Sequence, residues 1–245
     1  MNFINKPKIC TRCIMDSSDP DISFDEKGIC NHCHRYDGLI NTRVFHGDVA
    51  KAQLEKVTEQ IKKRAKGKEY DCLIGVSGGV DSTYVAYLVK QLGLRALAVH
   101  FDNGWNSELA VSNIEKTLKK LSIDLYTYVI DWEEFKSLQI SFLKASTPDG
   151  EVPTDHAINA LLFQIAAKHN IKYIISGMNF ATESMSVPAW AYGHSDWKYI
   201  KGVHKKFSAI KLKQYPHFSL LKLFYFTFIK RIQVLAILNY IEYNK

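Results

Sequence analysis

Apolar and polar positions between about residues 70 and 180 alternate in blocks that predict strands separated by helices. Four short apolar runs are typical of buried strands, and they lie at 72–76, 96–101, 125–130 and 173–176. The segments between these runs repeat apolar residues at helical spacing, for example Val85, Leu88, Val89 and Leu92. Buried strands separated by helices predict an α/β fold, a doubly wound parallel sheet with right-handed crossovers.

The pattern changes on both sides of this block, so we expect four regions. Residues 1–40 show little periodicity and hold four of the five cysteines. Residues 41–69 are expected to form a linker helix, because apolar residues recur among charges over 48–66. Residues 70–190 form the predicted sheet domain, and 191–245 form a basic, aromatic C-terminal region.

The most apolar stretch of the chain lies at 220–241. Lys222, Lys230 and Arg231 interrupt it, so no uncharged run approaches the ~20 residues that a membrane-spanning helix needs. We therefore expect buried helices here. An interfacial helix with peripheral membrane contact is the second interpretation.

The formal net charge of +7 is concentrated at the C-terminal end. Residues 198–245 carry ten Lys or Arg and one acidic residue, a charge of +9, which leaves −2 for residues 1–197. Such a segment attracts nucleic acid, anionic lipid or a phosphorylated small molecule, and a solvated basic face is an equal alternative.

The N-terminus lacks the apolar run of a secretory signal, and an odd number of cysteines argues against a disulfide framework. We expect a cytoplasmic protein.

Four cysteines have the spacing of a metal site. Cys10 and Cys13 form one Cys-x₂-Cys pair, and Cys30 and Cys33 form a second pair sixteen residues later. Each pair can direct two thiolates at one tetrahedral ion, so the spacing predicts a Zn²⁺-binding knuckle at 1–40. An iron–sulfur cluster is the alternative that spacing leaves open. Cys72 lies inside the first predicted strand and is expected to be a core residue.

The loop that follows the first strand has the composition of a phosphate site. Gly78 and Gly79 allow a tight turn and a close approach of the backbone to a ligand. The helix that begins near Ser82 directs free N–H groups and its positive dipole end at this loop. The lysine of a GxxxxGK[ST] phosphate loop is missing, and Asp81 stands at the helix start instead. A carboxylate beside phosphates is explained if it recruits Mg²⁺.

The string SGGVDS at 77–82 resembles the pyrophosphate-binding motif of PP-loop ATP pyrophosphatases, which are also called adenine nucleotide alpha-hydrolase-like proteins. The resemblance implies a HUP-like fold, ATP and Mg²⁺ as cofactors, and transfer of AMP to a carbonyl oxygen. A nitrogen or sulfur nucleophile then displaces AMP.

The resemblance also assigns roles to individual residues. It implies that phosphates and magnesium contact Ser77, Gly78, Gly79, Asp81 and Ser82. It places two residues near the adenine, His100 and Phe101, and it places Gly177, in the string SGMN, in a loop that closes the site. The catalytic side chains expected here are Asp81, Asp102 and Glu183.

The order of motifs is similar to that of the N-acetyl sugar amidotransferases of O-antigen and flagellin-sugar pathways. A cysteine knuckle, a linker helix, SGGVDS and FDNGWNSE follow one another as they do in that family. The resemblance implies conversion of the acetamido group of a nucleotide-linked sugar to an acetamidino group, with ammonia from a separate glutaminase subunit and a cyclase-like partner. Members continue past the last residue here, so we expect residues 191–245 to be an incomplete subdomain.

The acceptor sugar is expected at polar and aromatic residues near the ligand edge of the sheet: Trp105, Asn106, Asp155, His156 and Asn179. Thr154 is expected to cap the helix that carries Asp155 and His156. For each of these residues, capping or packing is an equal alternative.

Two other functions stay open. A tRNA-modifying PP-loop enzyme, either a lysidine-type ligase or a thiolase, would explain the cysteine knuckle and the basic segment. A non-catalytic ATP-binding or scaffold protein is the second. We expect no DNA partner.

Overall fold

A five-stranded sheet forms the centre of the protein in the computed structural model, which describes residues 7–183, 187, 190 and 192–243. The strands are β1 (Cys72–Gly75), β2 (Ala96–Asp102), β3 (Asp124–Val129), β4 (Tyr173–Ser176) and β5 (Gln233–Ala236). Their order across the sheet is β3-β2-β1-β4-β5, and every neighbouring pair is parallel. The predicted α/β fold with a parallel sheet is confirmed.

Helices cover both faces of this sheet. They are α1 (Asn31–Arg43), α2 (Gly47–Arg64), α3 (Val80–Gln91), α4 (Glu108–Leu121), α5 (Trp132–Lys144), α6 (Val152–Lys168), α7 (Phe180–Glu183), α8 (Trp197–Phe207) and α9 (Leu220–Phe224). A π-helical turn at Tyr225–Ile229 continues α9, and a 3₁₀ helix at Ile237–Tyr240 follows β5. No helix in the described ranges combines the length and apolar character needed to cross a bilayer.

Two cores form because neighbouring residues of a strand face opposite sides of the sheet. Leu73 packs into a core with apolar residues of α5, α6 and α8. Ile74, the next residue of β1, packs into the core that includes residues of α2, α3 and α4. Both side chains are fully buried, as expected for a strand covered on both faces.

The third predicted strand differs from the expectation of full burial. β3 lies at one edge of the sheet and pairs only with β2 among the described strands. Leu125 and Val129 are 42% and 68% exposed. An edge position, which a run of apolar letters does not reveal, explains the difference.

The prediction of buried helices over 220–241 is wrong in two respects. The first half is helical but largely exposed, because α9 has no buried residue and the π-helical turn buries only Phe226. The second half contains a strand. Residues Gln233–Ala236 form β5, which pairs in parallel with β4 from Tyr173 opposite Gln233 to Ser176 opposite Ala236. A short apolar run is compatible with either a helix or a strand. Here the free edge of β4 supplies hydrogen-bond partners, and the run therefore forms a strand. The expected domain boundary at 190–191 adjoins residues outside the described ranges and stays a prediction.

One buried carboxylate of the sheet domain binds several backbone groups of the basic C-terminal segment. Glu134, in the first turn of α5, accepts hydrogen bonds from the backbone N–H groups of Lys213, Gln214 and Tyr215 at 2.8–3.2 Å. The hydroxyl of Tyr215 donates to the carbonyl of Pro153 at 2.6 Å. A charged acceptor with several donors is a strong local anchor.

We predict that Glu134→Ala lowers the free energy of unfolding by about 2 kcal/mol, because the buried N–H of Tyr215 and the part-buried N–H groups of Lys213 and Gln214 lose a charged acceptor. Glu134→Gln should cost less, since one carbonyl oxygen remains. Urea unfolding of the full chain measures both values. The neighbouring exposed Glu133→Ala is the matched control, and an equal loss in both alanine variants would contradict the anchoring role.

Candidate functional site

The strand order creates a crevice between β1 and β4. The connections from β1 lead to β2 and β3 on one side, whereas β4 and β5 lie on the other side. Ligands of open parallel sheets bind at the carboxyl ends of strands where the order reverses in this way. The loops that follow β1 and β4, at 76–79 and 177–179, flank that point.

The loop at 76–79 is held in place by a close backbone contact. Gly78 has φ +76°, and a Cβ atom there would lie 2.8 Å from Cα of Ala110 on α4 and would overlap its carbonyl oxygen. Only glycine fits both the left-handed conformation and this contact. Gly79, by contrast, has φ −79° and room for a Cβ 3.5 Å from Oγ of Ser77.

The two serines connect the loop to the first turn of α3. Oγ of Ser82 accepts a hydrogen bond from the backbone N–H of Ser77 at 3.2 Å, and its hydroxyl donates to the carbonyl of Gly79 at 3.1 Å. Within the described chain, no side chain caps the start of α3. The N–H groups and dipole of this helix are thus directed at the loop, as in known anion sites.

Asp81 lies in the first turn of α3, between the two loops. A Cβ atom at Gly177 would lie 3.5 Å from Cβ of Asp81, so the loop after β4 approaches it closely. The hydroxyl of Tyr243 donates a hydrogen bond to Oδ1 of Asp81. This bond, together with burial, raises the pKa of Tyr243 to about 12, and the charge of Glu183 adds to the effect. Of the predicted catalytic residues, Asp81 is thus hydrogen-bonded to Tyr243, and Glu183 affects the pKa of Tyr243 only through its charge.

A cavity of about 360 Å³ opens on the β2 side of the loop. It is lined by Gly75, Val76, Ser77, Val99, His100, Phe101, Asn103, Asn106, Ile158, Leu161 and Leu162. Its size and mixed lining suit a nucleoside. His100 is buried, and its Nδ1 lies 3.0 Å from the carbonyl of Val76. Its Nε2 is buried without a hydrogen-bond partner among the described residues.

Asp102 shapes the turn at the end of β2. Its Oδ1 accepts hydrogen bonds from the N–H of Gly104 at 3.0 Å and from Nδ2 of Asn106 at 3.2 Å. Ser107 then caps α4 by accepting the N–H of Ala110 at 3.2 Å. The turn thus leads directly into α4, which contacts Gly78. The sequence offers two interpretations of Asp102, a turn residue before Asn103 and Gly104 or a catalytic residue, and these hydrogen bonds are those of the turn residue.

A second cavity, of about 280 Å³, is lined in part by Tyr243, the hydrogen-bond partner of Asp81. Its lining comes from three separate segments: Val44, His46, Asn179, Ala181, Leu238, Ile241, Glu242 and Tyr243. The sequence did not suggest that residues near 44 and 240 would meet there. Their contact depends on the N–H of Phe45, which donates to the carbonyl of Asn239 at 2.9 Å.

Two residues expected at the acceptor, Trp105 and Asp155, lie away from these cavities. Trp105 is 67% exposed and packs edge-on against Trp132 with ring centres 5.7 Å apart. Asp155 forms an ion pair with His194 at 3.5 Å. Neither side chain is in the lining of the two cavities.

His156 is a packing residue in this structure. It is fully buried, its Nδ1 donates to the carbonyl of His194 at 2.8 Å, and its Nε2 accepts from the N–H of Phe218 at 3.3 Å. Both ring nitrogens are therefore used within the protein, and burial lowers the pKa of His156. The expected cap at Thr154 is also corrected, because α6 begins at Val152 and the hydroxyl of Thr154 accepts from Gln139 at 3.2 Å.

The four cysteines of the N-terminal segment converge on one point. Their Sγ atoms all lie within 4.8 Å of one another, with separations of 3.9 Å for Cys10–Cys33 and 3.7 Å for Cys13–Cys30. A tetrahedral ion with metal–sulfur bonds of about 2.3 Å needs thiolates ~3.8 Å apart. The cluster fits one such ion, for example zinc. An iron–sulfur cluster would place the thiolates on separate iron atoms and spread them further.

Backbone donors support the thiolate form of Cys10. Burial alone would raise its pKa, but N–H groups of Arg12, Cys13 and Cys30 lower the pKa of Cys10 to about 6. His32 and His34 are outside the cluster, because they pair with carboxylates of Asp19 and Asp25 at 2.6 and 2.9 Å.

The cysteine segment contacts the loop after β4. Tyr36 of α1 stacks on Phe180 of α7 with ring centres 5.9 Å apart, and its hydroxyl donates to the carbonyl of Ala181 at 3.3 Å. Because α7 directly follows the 177–179 loop, the cysteine cluster supports one wall of the candidate site.

Comparisons with known proteins agree with the fold. A family model described as NAD synthase matches residues 50–206. A GMP synthase (glutamine-hydrolyzing) of Pyrobaculum aerophilum is 39% identical over 84 residues, 34% of this chain and 16% of that protein. A tRNA-specific 2-thiouridylase of Fusobacterium nucleatum is 28% identical over 122 residues, 47% of this chain and 35% of that protein. The chain thus spans about a sixth and about a third of the length of these relatives.

Two further proteins are also similar to this chain. A tRNA(Ile)-lysidine synthase of Chlamydia pneumoniae is 34% identical over 64 residues, 25% of this chain and 20% of that protein. Among solved structures, an NH3-dependent NAD synthetase of Campylobacter jejuni aligns with a TM-score of 0.42 and 17% identity, covering 64% of this chain and 72% of the other.

We predict that Gly78→Ala weakens Mg·ATP binding at least tenfold and lowers the melting temperature, because the added methyl group collides with the backbone of Ala110. Gly79→Ala, with ordinary backbone angles and free space, is the control and should keep the melting temperature of the unsubstituted chain. Calorimetric titration and thermal unfolding measure the two effects. Equal melting temperatures in both variants would show that the contact does not constrain the loop.

We predict one tightly bound metal ion per chain, lost in Cys30→Ser together with a lower melting temperature, because the cluster needs all four thiolates. Elemental analysis after dialysis against a chelator measures the ion and its identity. Cys72→Ala is the control, since Cys72 lies in β1 and should not change the metal content. More than one ion per chain would contradict the single tetrahedral site.

Proposed function

The chain belongs to the NAD synthase family, within the PP-loop superfamily, and from this premise we propose that it is an ATP-dependent carbon–nitrogen ligase. The observation that carries the proposal is the SGGVDS loop at the point where the strand order reverses. There it is fixed by Ala110. Ser77 of the loop lines one cavity, and Asp81 is hydrogen-bonded to Tyr243, which lines another. In this reading the cavity on the β2 side takes the nucleoside of ATP.

The residues of the loop suit a triphosphate. The backbone of Gly78 and Gly79 and the start of α3 provide N–H groups for phosphate oxygens, and the hydroxyls of Ser77 and Ser82 add polar contacts. The Asp81 carboxylate is the residue that would hold Mg²⁺, which would neutralise charge on the phosphates when bound. These groups orient the α-phosphate and its pyrophosphate leaving group.

We further propose that the acceptor is the acetamido group of a nucleotide-linked sugar. The order of the motifs, from the cysteine knuckle to FDNGWNSE, supports this choice. The amide oxygen forms a bond to the α-phosphorus as the bond to pyrophosphate breaks, and the amide nitrogen releases its proton. Ammonia then adds to the imidate carbon, and AMP leaves with the former amide oxygen. The product is an acetamidino sugar.

The cysteines support an outside source of ammonia. Four of the five lie in the metal-type cluster, and Cys72 is fully buried in β1, where burial raises the pKa of its thiol. This chain therefore offers no accessible cysteine outside the cluster as a glutaminase nucleophile. A separate glutaminase subunit with a cyclase-like partner is the proposed source, and zinc is the proposed ion of the cluster.

The second candidate function is tRNA modification. It is favoured by the similarity to a tRNA-specific 2-thiouridylase and a tRNA(Ile)-lysidine synthase and by the basic segment at 198–245. The burial of Cys72 weighs against sulfur transfer by a thiol of the sheet domain. A lysidine-type ligation is thus the stronger form of this alternative.

We predict that the zinc-loaded chain releases pyrophosphate from ATP with ammonia and one of a panel of UDP- or CMP-linked acetamido sugars. Asp81→Asn should reduce the rate by about a hundredfold or more, because the proposed metal ligand is lost. A coupled phosphate assay measures the rate. Asp48→Asn, an exposed aspartate in the first turn of α2, is the matched control.

Two outcomes would overturn the assignment. Full turnover by Asp81→Asn would show that the SGGVDS loop does not take part in the reaction. Pyrophosphate release that depends on tRNA and not on sugar nucleotides, with steeply salt-dependent tRNA binding, would establish the second candidate.

A further inference from the structure

The helical segment formed by α9 and the π-helical turn is anchored to the protein by few residues. Leu223 and Phe226 pack against the core, where the ring of Phe226 stacks on that of Phe163 with centres 5.8 Å apart. The outward residues of the segment are apolar or aromatic and exposed, and together they form what we call the apolar patch: Leu220, Leu221, Phe224, Tyr225, Phe228 and Ile229. An exposed apolar surface of this kind marks a binding site for a protein or a membrane.

Helical spacing makes the apolar patch continuous. Leu221, Phe224 and Phe228 recur three and four residues apart, so they lie on one side of the helix. The rings of Phe224 and Phe228 are in contact, with centres 4.7 Å apart. Leu221 is 82% exposed and Phe228 is 63% exposed. The patch is therefore one connected surface that water covers in the isolated chain.

Basic side chains lie in and beside the apolar patch. Lys222 is exposed within it, and Lys230 and Arg231 follow it directly. Nζ of Lys230 lies 5.6 Å from the ring centre of Tyr225. Nζ of Lys172 donates to the carbonyl of Lys230 at 2.7 Å, which brings one more cation to this edge of the sheet.

The cations around Lys172 are close enough to repel one another. Burial lowers the pKa of Lys172, and nearby positive charges lower it further: Lys68, Lys230, Arg231 and Arg64. The sequence contains no Asp or Glu between residues 197 and 241. The apolar patch thus adjoins a surface of positive potential, which attracts an anionic partner.

The combination of an apolar face with cations favours one kind of partner. Nucleic acid would pair with the cations but would leave Leu221 and Phe228 in water. A second copy of this chain would bring like charges together across a two-fold axis. Two helical turns of five residues each are also much less than the about 20–30 residues per side of a stable protein interface.

An anionic bilayer surface accepts both features. Leucine and aromatic side chains enter the boundary between head groups and acyl chains, and lysine and arginine reach the lipid phosphates from the same depth. Each cation near an anionic surface adds to the attraction. The segment is too short to span the bilayer, so it would lie in the plane of the boundary.

We propose that the apolar patch and its flanking cations bind this protein peripherally to the surface of an anionic phospholipid bilayer. Leu221, Phe224 and Phe228 enter the boundary region, and Lys230 and Arg231 contact lipid phosphates. The binding is reversible, because it depends on a few side chains. This proposal goes beyond the reaction proposed above and does not depend on it.

Flotation of the metal-loaded full chain with lipid vesicles tests the proposal. Vesicles of phosphatidylcholine mixed with phosphatidylglycerol are compared with vesicles of phosphatidylcholine alone. We expect binding to the mixed vesicles to be at least tenfold stronger, because each flanking cation contributes about fivefold near an anionic surface. High salt should reduce this difference, since it screens the attraction.

One pair of variants tests the apolar part of the contact. Leu221→Ser should weaken binding to the mixed vesicles about tenfold, because a leucine side chain no longer leaves water. Leu109→Ser is the matched control, since Leu109 is 70% exposed but lies on α4, which packs on the other face of the sheet. Both side chains are exposed, so both variants should keep the melting temperature of the unsubstituted chain.

A second pair tests the electrostatic part. Arg231→Gln should weaken binding to the mixed vesicles about fivefold and leave binding to phosphatidylcholine unchanged. Lys116→Gln removes an exposed cation of α4 and should change neither value.

A fluorescence measurement locates the contact independently of affinity. Phe228→Trp should add emission that brominated phospholipid quenches when the protein binds the mixed vesicles. Leu109→Trp should add emission that brominated phospholipid does not quench. Equal quenching in the two variants would contradict insertion of the apolar patch.

Three other outcomes would overturn the proposal. The first is that the chain fails to float with the mixed vesicles. The second is that Leu221→Ser and Leu109→Ser lose affinity equally. The third is another occupant in the absence of vesicle binding, either a dimer that Leu221→Ser dissociates or tRNA that binds equally well to Leu221→Ser.

Discussion

The contact between Gly78 and the backbone of Ala110 is the constraint on which the candidate site depends. It locks a left-handed residue of the loop after β1 against the first turn of α4. The position of α4 is set in turn by the cap at Ser107 and by the turn that Asp102 organises at the end of β2. The loop at 76–79 is thus shaped by steric exclusion at Gly78 and by two side-chain hydrogen bonds that position α4.

Segments that are far apart in sequence meet on the other side of Asp81. The chain after α1 contacts the 3₁₀ helix through Phe45 and Asn239, and Oδ1 of Asn239 accepts the N–H of Phe180 at 2.8 Å. Tyr36 stacks on the same Phe180. The cysteine segment, α7 and the C-terminal segment therefore form one wall.

The parts of this structure that could be predicted from sequence are those that depend on local patterns. β1, β2 and β4 follow from short apolar runs, the phosphate-type loop from SGGVDS, and the cysteine cluster from the spacing of its two pairs. β5 could not be predicted, because its pairing with β4 is a tertiary event. The burial of His156 and the meeting of Val44 with Tyr243 depend on distant segments in the same way.

There is a physical reason why the loop could be predicted from sequence and the cavity around Asn179 could not, and it also concerns substrate specificity. The phosphate loop is made from one continuous segment, because it must present consecutive N–H groups to one ligand, and such a segment leaves a short motif. The cavity around Asn179 is made from three segments that each contribute one or two side chains. Changes in any one of them alter the shape of the cavity without disturbing Gly78. If the proposed function is correct, the loop that binds ATP can stay the same while these three segments change, and the choice of acceptor depends on contacts that short sequence motifs do not reveal.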